Sequence, residues 1–231
     1  METNKEAFEF DYSILNIKIN GSNPIIWRRV VVPEDITLDR LSDVILLLFS
    51  WEGYESCMFK IKNKFYENLE DEYEFEDEDE EEGKVFDITL HRLNELVKEK
   101  SRFIMYYNEW EIGVFVESTR FHNETNSDIY CLNGDNNSPP PLLENMAQFN
   151  ALIEDSTNTD SPLNESAIQL LGNDFEETRF SKGLYNFLLN RYCEWTRDRN
   201  LPLYDLGVDK EKFNEILSAL INEEIGDMLK L

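Results

Sequence analysis

Chemistry at a site needs nucleophiles, proton carriers or metal ligands within reach of one another. The sequence holds only two histidines, His91 and His122, and three cysteines, Cys57, Cys131 and Cys193. Zinc and iron sites draw on clustered His, Cys and carboxylate ligands. Here His91 reads onto a short helix and His122 into a loop, so no metal site is expected. The cysteines are odd in number and widely spaced, which fits neither a disulfide framework nor a zinc motif. They read as reduced thiols, at least partly buried. No Gly-x-Ser-x-Gly elbow occurs, and the nine glycines form no phosphate loop or dinucleotide fingerprint. EF-hand spacing is also missing. No cofactor is expected, and the pattern leans away from an enzyme.

Carboxylates are in surplus. Glu52 with Glu55, or Glu111 with Glu117, could serve magnesium or acid–base chemistry. A chain with 48 acidic residues produces such pairs by chance, so they point to no site.

Trp27, Arg28 and Arg29 have two readings. Alternation along a strand puts Trp27 and Arg29 on one face and Arg28 on the other. The functional reading is an anion clamp built on the planar guanidinium fork. The structural reading, which we favour, places Trp27 in the core with an arginine stem over it and the arginine head on a carboxylate. Tyr106, Tyr107 and Trp110 suit sheet packing better than a ligand cage.

Composition narrows the partners. Lys+Arg is 22 and Asp+Glu is 48, a formal net charge of −26. Such a chain repels phosphate backbones and anionic lipid. No local basic patch is visible in the linear sequence, so direct nucleic-acid binding is not expected. A basic protein partner is. The polar start lacks an apolar signal core, and no apolar run nears the roughly 20 residues of a membrane span. A cytoplasmic location without membrane contact is the expectation. The sequence leaves the oligomeric state open.

Periodicity supplies the elements that would position these residues. Residues 8–19 and 25–32 alternate as two strands around the turn Gly21-Ser22-Asn23-Pro24, predicting a hairpin. Thr37 caps a helix with Leu38, Leu41, Val44, Ile45 and Leu48. Short strands follow at 58–62 and 64–66. The segment 67–82 is almost wholly acidic and reads as a solvated loop. Thr89 caps a short helix carrying Leu90, Leu93, Leu96 and Val97. Strands are predicted at 103–107 and 110–117, and residues 122–140 read as a loop. A helix with Leu142, Met146, Phe149 and Ile153 is entered through Pro139-Pro140-Pro141. Ser161-Pro162 and Gly172 bracket a helix over 162–171. Leu184, Leu188, Tyr192 and Trp195 mark another, and Asp209 caps a last one. The first half is strand-rich and the second helical, an α+β pattern.

The run Gly21-Ser22-Asn23-Pro24-Ile25-Ile26-Trp27-Arg28-Arg29-Val30-Val31-Val32-Pro33 resembles the opening signature of the plasmid pRiA4b ORF-3-like family. The resemblance continues through Ile36-Thr37-Leu38, Trp51-Glu52, Phe59-Lys60-Ile61 and Tyr66. It resumes at Trp110-Glu111 and Glu117, at Cys131-Leu132 with Gly134 and Pro139-Pro140, and at Gly172-Asn173-Asp174-Phe175 with Phe180. It covers about residues 9–189. It implies a mixed sheet with a packed helix, β-grasp-like, in an uncharacterised protein carried by plasmids and insertion elements. The implied division is 8–120 for the sheet core with its acidic loop 67–82, 121–189 for the loop and helices completing it, and 190–231 for a helical extension.

Departures from that pattern matter. A His-x-His after Trp-Glu becomes Glu55 and Cys57. An Asp-Phe-Gly-Asp before the later tryptophan becomes Met105-Tyr106-Tyr107-Asn108. A histidine two residues after Trp110 becomes Ile112. If an ancestral site has decayed, Glu55, Cys57, Tyr106 and Ile112 should converge. The candidate ligand-binding set is therefore Trp27, Arg28, Arg29, Glu55, Cys57, Tyr106 and Trp110, in a non-enzymatic binding or accessory protein. A carboxylate-bound-metal hydrolase or nuclease is the alternative.

Overall fold

The computed structural model describes residues 11–51, 57–69, 85–122, 129–172 and 175–195. One mixed sheet organises them. Its strands are β1 (Asp11–Ile19), β2 (Trp27–Pro33), β3 (Cys57–Ile61), β4 (Lys64–Glu67), β5 (Val85–Asp87), β6 (Arg102–Tyr107), β7 (Trp110–His122) and β8 (Tyr130–Asp135). The sheet order is β5-β4-β3-β6-β7-β1-β2-β8. All ladders are antiparallel except β4–β5. The helices are α1 (Leu38–Leu48), α2 (Leu93–Leu96), α3 (Met146–Thr157), α4 (Asn164–Leu171) and α5 (Lys182–Trp195). The fold is α+β.

The predicted hairpin forms between β1 and β2. Gly21 takes φ +80° at its tip, a region glycine enters without Cβ strain. Ser22 Oγ closes the turn, donating to Ile19 O at 2.7 Å and accepting from Ile26 N at 3.0 Å. Strand alternation then sorts the faces. Leu15, Ile17, Ile19, Val30 and Val32 enter the main core with Phe59, Phe103, Met105, Ile112 and Val114. Helix α1 lies in that core, and all eleven of its residues are buried, including Asp39, Arg40 and Asp43. On its polar side Tyr192 of α5 donates to Asp43 at 3.2 Å. Burial, and then the Asp43 charge, push the Tyr192 phenol well above its ordinary range.

Several expectations need correction. The 122–140 loop contains β8, and β7 itself runs to His122. Asn133 and Gly134 give β8 a turn-like composition, but pairing with β2 overrides it. Its open edge is closed by Asn186 of α5. The Asn186 carboxamide accepts from Cys131 N at 2.6 Å and donates to Cys131 O at 3.1 Å, as a neighbouring strand would. Strand β5 was not anticipated, since three half-buried residues carry no period.

The turn at 88–90 is a 3-10 helix capped by Asp87, not Thr89. Asp87 Oδ1 accepts from Thr89 N and Oγ1 at 2.8 and 2.7 Å. Helix α2 follows separately. Helix α3 starts at Met146 under an Asn145 cap rather than at the prolines, and Leu142 lies exposed before it. Helix α4 begins two residues later than predicted and stops at Gly172, φ +90°. The helix predicted after Asp209, and residues 70–82 of the acidic segment, lie outside the described residues.

Candidate functional site

Strand β2 carries three consecutive large side chains, and the structure separates them. Arg28 is wholly buried, whereas Trp27 and Arg29 are half-buried on the opposite face. This reverses the expectation that Trp27 occupies the core beneath an arginine. Burying a guanidinium demands that its charge and donors be satisfied. All five N–H groups of Arg28 are used. Nε donates to Leu48 O at 2.9 Å. Nη1 donates to Trp27 O and Asp135 O at 2.8 and 2.9 Å. Nη2 donates to Ser138 Oγ and Tyr185 Oη, both at 2.9 Å. Every acceptor is neutral. The cation is spread instead over three rings, its Cζ lying 5.3 Å from the centroid of Phe49, 5.0 Å from Phe180 and 4.7 Å from Tyr185. Arg28 has no donor left for a ligand. Its role here is to tie the end of α1, β8 and α5 together.

Arg29 is the arginine that meets a carboxylate. Its Nε and Nη2 donate to Glu117 at 2.7 and 2.6 Å in a two-pronged pair. The pair is about one-third exposed. The Arg29 hydrogen bond holds the Glu117 carboxyl below its usual range, against a smaller opposing effect of burial.

Of the remaining predicted positions, the described ones divide between the two faces of the sheet. Cys57 pairs with Tyr107, and Trp110 and Ile112 are buried on the core side of the sheet. Tyr106 follows the alternation to the other face, half-buried beside Met58 and Glu111. Glu55 lies outside the described residues, as does Glu52. Trp110 is a packing residue. Its Nε1 donates to Leu143 O at 2.9 Å, while Trp51 Nε1 donates to Pro139 O at 2.9 Å. The two indoles sit 5.0 Å apart. Together they fasten the proline segment over this end of the core.

His91 contacts the rings of Tyr66 and Phe86 at 5.2 and 5.7 Å. Among the described residues no group of three or more His, Cys, Asp or Glu side chains could hold a metal ion. Cys131 is buried, and its surroundings push the thiol up to about 11.

The face of the sheet away from the core carries a groove of about 670 Å³ that spans β1, β7, β6 and β3. Register explains its shape. Lys18, Gly113, Ile104 and Lys60 are aligned across four strands. Asn16, Phe115 and Arg102 form the next row. Gly113 leaves a trough, because a Cβ there would stand 2.9 Å from Asn20 Oδ1. Its backbone is not in the left-handed region, so this glycine supplies room rather than a turn. Lys18, Lys60, Lys62 and Arg102 line the groove, and among the described residues no acidic one does. Arg102 Cζ lies 4.5 Å from the Phe115 centroid. Among the described residues none of these four cations is ion-paired. The groove's cations come from β1, β6 and the end of β3 with the turn after it, so only Lys60 and Lys62 are near neighbours in the linear sequence. Lys60 at the end of β3 and Lys62 in the turn that follows, two residues apart, are the signal that could have exposed it.

The family model described as plasmid pRiA4b ORF-3-like protein matches residues 12–183. The chain belongs to the plasmid pRiA4b ORF-3-like family. The crystal structure of a protein of unknown function from Methanosarcina mazei Go1 is similar to it, with a TM-score of 0.66 at 20% identity. The likeness covers 75% of this chain and 96% of that one, and it bears on fold alone. No curated protein matches the sequence. In this pRiA4b ORF-3-like protein the signature residues Arg28, Trp51, Trp110, Gly134, Pro139 and Phe180 are packing residues around one corner. Gly134 makes the point: a Cβ there would fall 2.5 Å from Phe180 Cε2 and 2.8 Å from Trp27 O. No helix of the described residues is long and apolar enough to cross a membrane.

Proposed function

We propose that this chain is a non-enzymatic binding or accessory protein, associated with plasmids or other mobile elements, that works through electrostatic contact. The observation that carries the reading is its separation of charge. The chain as a whole is strongly negative, yet one groove is lined by four cations that have no ion-pair partner among the described residues, on a mixed polar and aromatic floor. Among the described residues, the lining holds amides, lysines, an arginine and apolar side chains rather than His, Cys or carboxylate. The acidic remainder would speed encounter with a basic protein partner, and that attraction is screened by salt. The β1–β2 hairpin followed by α1 supports a β-grasp-like description of the sheet and its helix. A cytoplasmic setting suits the buried reduced thiols.

The test is association of the full chain with a basic protein, followed by surface-bound kinetics from about 50 to about 300 mM salt. The on-rate should fall steeply across that range. Recovery of only neutral or acidic partners, or an on-rate indifferent to salt, counts against the reading. Manganese- or magnesium-dependent hydrolysis of a nucleic acid or an ester, abolished by a carboxylate substitution, would replace it with an enzyme.

A further inference from the structure

The groove on the outer face of the sheet has the features of a ligand site, and its chemistry can be named. We propose that it binds a compact organic polyphosphate, of the size of a nucleoside di- or triphosphate. The inference rests on the reading of this face as a working surface and adds the class of ligand.

Charge is the first argument. Lysines and arginines are outnumbered by more than two to one in this chain, yet Lys18, Lys60, Lys62 and Arg102 line a single groove with no acidic residue among its described walls. The same face brings Glu111 and Glu117 just beyond the Gly113–Phe115 stretch. Glu117 is already engaged by Arg29, and Glu111 stands one row away beside Tyr106. Four cations left together repel one another unless an anion sits between them.

Shape is the second. Lys18 and Lys60 begin three strand spacings apart, about 14 Å, so both lysine heads can fold over one small molecule. The trough between them exists because position 113 is glycine. A volume of about 670 Å³ falls within the roughly 300–1,000 Å³ of small-molecule sites. Asn16 and Asn20 make no side-chain hydrogen bond to the described residues and offer amide groups at the rim. Phe115 with Arg102 stacked on it presents a flat cationic edge suited to a planar ring.

Size selects between anions. A long nucleic acid would place most of its phosphates over the acidic remainder, where the field is repulsive. A short polyanion keeps all its charge inside the groove. Lysine ammoniums act as point charges for phosphate oxygens, which suits closely spaced phosphates better than the wider spacing of side-chain carboxylates on a peptide.

Calorimetry of the full chain at low salt tests this with ATP, tripolyphosphate, adenosine, a single-stranded oligonucleotide and a glutamate-rich peptide. Saturable ATP binding is expected, weakening as salt rises. Tripolyphosphate should bind more weakly than ATP and adenosine not at all. Lys18→Ala and Lys60→Ala, both surface changes, should each weaken ATP about fivefold. Gly113→Val should abolish binding by filling the trough; if it fails to fold, the two lysine variants decide. The proposal is overturned if ATP does not saturate, if the lysine variants bind it as well as the native chain, if adenosine matches ATP, or if the oligonucleotide or peptide binds more tightly. A chain whose ATP binding fails but which still captures a basic protein, with or without Lys18 and Lys60, loses this inference and keeps the broader reading.

Discussion

Arg28 meets Tyr185 twice. Its Nη2 donates to the phenolic oxygen at 2.9 Å, and its Cζ stands 4.7 Å from the centroid of the same ring. Tyr185 comes from α5 and Arg28 from β2, so this contact joins the helical region to the sheet's edge. The cation is buried with neutral acceptors only, which makes every one of its hydrogen bonds consequential. Removing it would take a charged donor from three backbone carbonyls and leave Ser138 Oγ and Tyr185 Oη with each other, 3.2 Å apart. Arg28→Met should lower stability by roughly 3–5 kcal/mol, since several buried acceptors lose a charged donor at about 1–3 kcal/mol each. Arg28→Lys should rescue little, since an ammonium cannot reproduce the five-donor fork. Tyr185→Phe keeps the ring and loses one hydrogen bond to a charge, about 1.5–3 kcal/mol. Urea unfolding curves should rank the three in that order, and a native-like Arg28→Lys would refute the network account.

Gly134 sits opposite Arg28 in the β2–β8 ladder. An added methyl would meet Phe180 Cε2 at 2.5 Å, Trp27 O at 2.8 Å and Arg28 Cδ at 2.9 Å. Phe180 can swing away, but doing so removes one ring from the Arg28 cation, and the Trp27 carbonyl is backbone. Gly134→Ala should therefore cost about 1–3 kcal/mol, the usual penalty of overpacking a filled site. A thermal melt of this variant beside the native chain checks it. An unchanged midpoint would mean that the corner has slack.

These contacts show what the sequence could and could not convey. The hairpin, α1 and the strands at β3, β6 and β7 follow from local periodicity and turn residues, and they were legible. The strand at Tyr130–Asp135 was not, because Asn133 and Gly134 resemble a turn until Phe180 and Arg28 are seen to require the missing side chain. The alternation of Trp27, Arg28 and Arg29 was legible as a pattern, but which face is the core depends on α1 and α5 covering Arg28's side. The groove was the least accessible feature. Lys18, Lys60 and Arg102 are far apart in sequence, and only the β1–β7–β6–β3 register aligns them. Sheet order is a tertiary property that no local window contains.

Cys131 should be chemically silent in the folded protein. Burial is the largest influence on its thiol and raises it to about 11, outweighing the nearby Arg28 and Lys182 charges. The thiolate is the reactive form, so at about pH 8 both access and ionisation are denied. Mass spectrometry after iodoacetamide treatment should find Cys131 unmodified in the native state and alkylated in urea, with Cys193, which is only half-buried, modified first. Rapid native labelling of Cys131 would show that β8 opens from the sheet edge despite the Asn186 clasp.

The Arg29–Glu117 pair should leave a small signature in acid. Glu117 is held below its ordinary value of 4.5, chiefly by the Arg29 hydrogen bond. Its folded value is thus lower than its unfolded one, and the unfolded chain binds the extra proton first. The pair's contribution is complete above the ordinary carboxylate range and is lost as pH falls through the lower folded value. Both side chains are about one-third exposed, so solvent screening limits the contribution to at most about 1 kcal/mol. A double-mutant cycle with Arg29→Met and Glu117→Gln should return a coupling of that size near neutrality, shrinking towards zero in acid and in high salt. A coupling that persists unchanged into acid would place the pair's stabilisation in packing of the arginine stem on the sheet rather than in its charge.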